Sequence, residues 1–93
     1  LAQGPMHAAR GLSPAEKQLK NAKTEYSEEH EEIANYTAIE TLAEAVGDKE
    51  TAKLARDIRR DEERMAKFLA GQITVMSKQV AREEVPSEQR ATR

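Results

Sequence analysis

The sequence predicts an all-α fold, in which two long helices are joined by a tight turn into an antiparallel hairpin. Three observations carry this. The 93 residues are rich in Ala, Glu, Lys, Arg and Leu and include three prolines and four glycines, a composition typical of long helices rather than strands. Apolar positions recur at spacings of three and four over two segments. Between those segments stands Gly47-Asp48, a stop signal followed at once by a start signal.

Residues 1–12, LAQGPMHAARGL, hold no sustained period and read as a linker or arm. Ser13 then offers an N-cap. Pro14 suits the first helical position, and Glu16, three residues after the cap, completes a capping box. From there Leu19, Ala22, Tyr26, Ile33, Tyr36 and Ala43 form a series at three- and four-residue spacing, whose missing members are Glu29 and Glu40. Ile39, Leu42 and Val46 widen the stripe. The helix is expected over about 14–46, roughly 50 Å at 1.5 Å per residue. Gly47 can end it in the left-handed conformation, and Asp48 can cap the next. So short a connection forces an antiparallel pair. The second helix is expected over 49–84, with Leu54, Ala55, Ile58, Met65, Leu69, Ile73, Met76 and Val80 on one face and Glu62 inside that arc. Arg56, Arg59, Arg60, Glu63, Arg64 and Lys67 are expected on the outer face. Pro86 ends any helix, and 85–93 read as a disordered tail.

Composition excludes several functions. Formal net charge is −2, with acid and base nearly balanced, which gives no electrostatic case for nucleic acid. No cysteine is present, so thiolate metal sites and disulfides are ruled out. No apolar run approaches the roughly 18 residues of a membrane span, and no signal peptide is visible, so a cytoplasmic setting is expected. The chain begins at Leu1 rather than Met, which suggests a fragment or processed chain.

The stretch that points to chemistry is EEHEEIANYTAIE, Glu28 to Glu40. Five glutamates fall between positions 25 and 32. Like charges four apart destabilise a helix by roughly 0.2–0.5 kcal/mol per pair, and burying an uncompensated carboxylate costs far more. With the hairpin folded at Gly47-Asp48, Glu29 and Glu32 come level with Glu62. An inward cluster of this kind needs a cation, a proton, or arginines from another helix, and hard oxygen ligands suit iron, manganese, magnesium or calcium. The alternative is a solvated face on which Arg59, Arg60 or Arg64 pairs with Glu31, Glu28 or Glu32, each pair contributing about 0–1 kcal/mol. Glu25, Asp61, Glu63 and His30 are lesser candidates; His30 points about 100° away from Glu29 and reads as a surface residue.

The segment EHEEIANY, Glu29 to Tyr36, followed by LAEAVGDKETAKLARDIRRDEERMAKFL, resembles the second helical hairpin of the YciF-type ferritin-like family of bacterial stress-associated proteins. The likeness covers roughly residues 20–75. It implies half of a ferritin-like four-helix bundle, completed by another segment or another copy of the chain, and therefore an oligomer or part of a larger assembly. It further implies a dinuclear iron or manganese site, with Glu29 and Glu32 in the third-helix acidic positions and Glu62 or Glu63 in the fourth-helix position. Ferroxidase-type oxidation of Fe(II) would follow in a completed site. The sequence departs from that pattern one turn after Glu62, where Met65, Ala66 and Lys67 offer no ligand. A rival expectation is therefore a non-catalytic helical interaction or assembly module.

Overall fold

The computed structural model describes residues 11–85 and residue 89. The expected arm (1–12) and tail (85–93) lie outside the described residues, apart from 11, 12, 85 and 89. Two helices pack against each other, α1 (Pro14–Ala45) and α2 (Lys49–Glu84). No strand occurs among the described residues.

Local chemistry sets each boundary. At the start of α1, the Glu16 N–H donates to Ser13 Oγ at 3.2 Å and the Ser13 N–H donates to Glu16 Oε1 at 2.8 Å. These reciprocal bonds satisfy donors that the helix leaves open. At its end, Gly47 takes φ +78°, where a side chain would be strained. That conformation lets the Gly47 N–H reach the Glu44 carbonyl at 3.1 Å and the Asp48 N–H reach the Ala43 carbonyl at 2.8 Å, a Schellman closure. Asp48 then caps α2, accepting from the Thr51 N–H at 3.1 Å and the Thr51 hydroxyl at 2.7 Å. These two bonds hold its carboxyl below the usual range.

The seam between the helices is built from small residues. Ala15, Ala22, Ala43, Ala52, Ala55, Ala66 and Leu69 are buried, and no large side chain among the described residues is fully buried. In α1 the seam follows the expected series, with Leu19, Tyr26, Glu29, Ile33, Tyr36 and Glu40 half-buried between the alanines. In α2 it follows most of the expected arc, with Ala55 and Leu69 buried and Ile58, Glu62, Ile73, Met76 and Val80 half-buried. Leu54 (61% exposed) and Met65 (46%) lie outside the seam, while Arg59, expected on the outer face, is half-buried within it. Alanines let the helix axes approach closely, so the line of small residues takes the contact and the bulkier column beside it is left open.

The exposed apolar residues share one broad side of the hairpin. Residues one position before a seam residue lie about 100° round the helix. Because the helices run antiparallel, that flank of α1 and that flank of α2 face the same way. The opposite flanks confirm the geometry: Arg56, one after Ala55, comes within 4.0 Å of Glu44, one after Ala43. The open side therefore carries Ile39, Leu42 and Val46 from α1 and Leu54, Met65, Phe68 and Val75 from α2, all exposed. Full burial of such a side chain is worth about 1.5–3 kcal/mol, and each forgoes the part that its exposed surface represents.

Candidate functional site

Two half-buried carboxylates meet on the seam at mid-height. Glu29 belongs to the small-residue line of α1 and Glu62 to that of α2. Glu29 Oε2 is buried and has no donor. Beside it stands the Glu62 carboxyl, itself an acceptor, so the two can bond only by sharing a proton. The Glu29 carboxyl is accordingly pushed up to about 7, first by the hydrogen bond with Glu62, then by burial, then by the charges of Glu62, Glu32 and Glu25. An opposed pair of this kind takes up a proton or a cation near neutrality.

The remaining candidates stand around that pair. Glu32 is exposed on the open side and accepts a 3.4 Å bond from the Asn35 amide. Glu25 is exposed and adds negative potential to Glu29. Asp61 is paired with Arg64 on the same helix. Glu63 is exposed and accepts from Arg59 at 3.0 Å. His30 lies at the edge of the Tyr26 ring, with centroids 4.5 Å apart and planes at 70°. It lines a shallow groove of about 280 Å³ with Ile33, Ala66 and Lys67 on the side opposite the open apolar face. Among the described residues, no three His, Asp or Glu side chains come together closely enough to hold a metal ion by themselves.

The arginines differ from the expected arrangement. The expectation places Arg59 on the outer face, and only the solvated-face alternative pairs it with Glu31, Glu28 or Glu32. It sits instead in the seam, 21% exposed, donates from Nε to Glu40 Oε1 at 3.1 Å, and is ion-paired with the same oxygen through Nη2 at 3.0 Å. Arg56, also expected outside, is half-buried and donates to Glu40 Oε2 at 3.3 Å. Arg64 turns back to Asp61. The physical reason is level: Glu40 lies within reach of Arg56 and Arg59, whereas Glu28–Glu32 stand about two to three turns farther from the turn than Glu40. Glu40 and Glu63 raise the affinity of Arg59 for its proton. Level-matching across Gly47 would have found this pairing in the sequence.

Residues 4–83 match the family model described as Domain of unknown function (DUF892). The chain belongs to that family. Both helices, the Schellman turn and the opposed glutamates therefore lie within its DUF892 match, apart from the last residue of α2. No curated protein and no solved structure matches the chain. Among the described residues, no helix is long and apolar enough to cross a membrane.

Proposed function

We propose that this DUF892 chain is a ferritin-like, YciF-type helical unit. On this reading it binds iron or manganese through Glu29, Glu62 and Glu32 once a second helical pair covers its open side. The observation that carries the proposal is the buried Glu29 Oε2 without a donor, on a carboxyl whose neighbour is the Glu62 carboxyl. The donor set fits a hard divalent cation, since it consists of carboxylate oxygens. The two seam glutamates would hold the ion from opposite helices, Glu32 would close on it from the open side, and further oxygen ligands would come from the covering pair. A bound iron would supply redox chemistry toward oxygen or peroxide. The chain's own residues fix two carboxylates face to face and exclude water from one oxygen.

The test is anaerobic calorimetric titration of Fe(II) and Mn(II) into the wild type and the double variant Glu32→Gln/Glu62→Gln, each in a sample that contains the helical partner covering the open side. The wild type is expected to take up metal and the variant to lose it, because amide oxygens replace carboxylates poorly around such ions. Without metal, the variant is expected to melt higher, because repulsion at Glu29 is relieved. No heat with the wild type, together with unchanged melting of the variant, overturns the metal reading. A non-catalytic assembly module is then the better one. That second reading draws on the residues one turn past Glu62: Met65 and Lys67 are exposed and Ala66 is buried, and none is a ligand.

A further inference from the structure

On the side away from the open apolar face, the two helices leave a groove between them. It exists because they present different bulk at one level. On α1, Tyr26 and Ile33 stand about two turns apart in the seam, with His30 between them on the flank. On α2 the residues lining the groove include Ala66 and Ala70, which carry nothing beyond Cβ. The hollow is about 280 Å³, at the small end of ligand sites. That volume suits a single ring and is too small for a helix. The His30 imidazole meets the Tyr26 ring edge to face, with centroids 4.5 Å apart, so one wall is aromatic and the floor is flat alanine.

The charge around the groove has one sign. Lys67 lines it, is exposed, and forms no ion pair among the described residues. Glu63 lines it too, but already accepts from Arg59 at 3.0 Å. From Lys67 to Ala81, α2 holds two lysines and no acid, and α1 adds Lys20 and Lys23 on the same flank. The acids of α1 at this level turn elsewhere. Glu25, Glu28 and Glu32 lie toward the open side, Glu31 on the outer ridge, and Glu29 inward beside Glu62.

This combination selects a ligand. A ring with an amine would meet Lys67 as a like charge, and an inorganic anion would leave the apolar floor uncovered. A flat ring with one negative charge satisfies both features. We propose that this groove binds a small aromatic carboxylate, its ring on Ala66 and Ala70 against Tyr26 and His30 and its carboxylate paired with Lys67. The site faces away from the open side, so it depends neither on what covers that side nor on metal.

The experiment follows amide shifts by two-dimensional proton–nitrogen NMR on the metal-free full chain, in a buffer without carboxylates or phosphate. The probes are benzoate, benzylamine and acetate. Benzoate is expected to give saturable shifts confined to the groove residues, at about millimolar concentration. Benzylamine is expected to bind at least about fivefold more weakly, and acetate to give no saturable shift. Ala70→Leu places a good helix former at an exposed position and fills the hollow. It is expected to abolish the benzoate response, with helix content unchanged by circular dichroism. Lys67→Glu is expected to reverse the preference toward benzylamine. Lys53→Glu makes the same charge change about 21 Å along α2, at a side chain 70% exposed, and is expected to leave benzoate binding within about twofold. Equal binding of benzoate and benzylamine overturns the proposal. So does a benzoate response that never saturates, that survives Ala70→Leu, or that falls as far with Lys53→Glu as with Lys67→Glu. If Ala70→Leu loses helix content, the two lysine variants, both at exposed positions, decide by themselves. Because the chain is metal-free throughout, no outcome turns on whether Glu29 and Glu62 hold an ion.

Discussion

Glu40 and Glu29 occupy the same line of α1, eleven residues apart, and the structure treats them in opposite ways. Glu40, with its side chain 14% exposed, receives Arg59 and Arg56 from α2. Glu29 receives Glu62. The backbone surroundings are alike, each carboxylate lying between helices packed on alanines. What differs is the residue that α2 presents at each level. A half-buried carboxylate met by two guanidiniums is a closed polar layer that fixes how the helices align. One met by another carboxylate is an open layer, stabilised only when something positive enters. The hairpin thus separates a neutralised layer near its turn from an unneutralised one at mid-height.

The largest expected effect comes from breaking the closed layer. Glu40→Ala leaves Arg59 and Arg56 without their shared acceptor and is expected to cost about 2 kcal/mol, within the roughly 1.5–3 kcal/mol of hydrogen bonds to charged groups. Chemical denaturation at neutral pH measures it. A loss below about 0.5 kcal/mol would mean that the layer is surface decoration. The comparison can also be sharpened by turning the open layer into a closed one. Glu62→Lys puts a cation opposite Glu29, as Arg59 stands opposite Glu40. At pH 7.5 without metal it is expected to raise the thermal midpoint by several degrees, since in so small a domain each kcal/mol moves the midpoint by about 4–8 °C. It should also abolish any uptake of Fe(II) or Mn(II). A lowered midpoint would show that Glu62 does not face Glu29 in solution.

The next effect is pH dependence. The Glu29 carboxyl moves from an ordinary value of 4.5 to about 7 in the folded chain. The folded state therefore keeps its proton to higher pH than the unfolded state. The stabilisation is fully present below about 4.5, is lost as pH rises through about 7, and stays level above that. In metal-free solution the thermal midpoint is expected to fall across that window. Glu29→Gln should flatten the curve and melt higher than wild type at pH 8. A wild-type midpoint that rises steadily from pH 5 to 8 would mean that Glu29 is solvated and ordinary.

Much of the hairpin was legible because its signals are local. Ser13-Pro14 with Glu16, and Gly47 before Asp48, specify ends without reference to anything distant. The α1 seam was legible for a related reason: Glu29 and Glu40 fill gaps in an otherwise regular series, so their facing follows from their neighbours. The α2 seam was legible only in part. There two columns run side by side, one small and one bulky and apolar, and together they read as one broad arc. Hydrophobicity added Leu54 and Met65 to the expected face and left out Ala52 and Ala66, whereas Ala55 and Leu69 lie in the contact as expected. That shift also hid Arg59. The opposed pair was half legible, since level-matching brings Glu62 to Glu29, but that Glu32 stands exposed beside them depends on the rotation of α1 about its own axis, which spacing fixes only loosely.

The smallest expected effect sets the scale for the rest. Arg64 and Asp61 are ion-paired on one helix, with side chains 71% and 70% exposed. Both are solvated in the folded and the unfolded chain, so their attraction is screened and is offset by the entropy of holding two side chains still. Arg64→Ala is expected to change stability by no more than about 0.5 kcal/mol, whereas Glu40→Ala removes an acceptor that two arginines share inside the seam. A denaturation series on both variants at low and high salt separates the cases. The Arg64 effect should vanish at 1 M salt, about where the screening length shrinks to roughly 3 Å, and the Glu40 effect should largely persist. If the two variants lose equal stability at low salt and both losses vanish at high salt, then Glu40 and Arg59 form only another surface pair, and the contrast with Glu29 would have to rest on the Glu62 carboxyl alone.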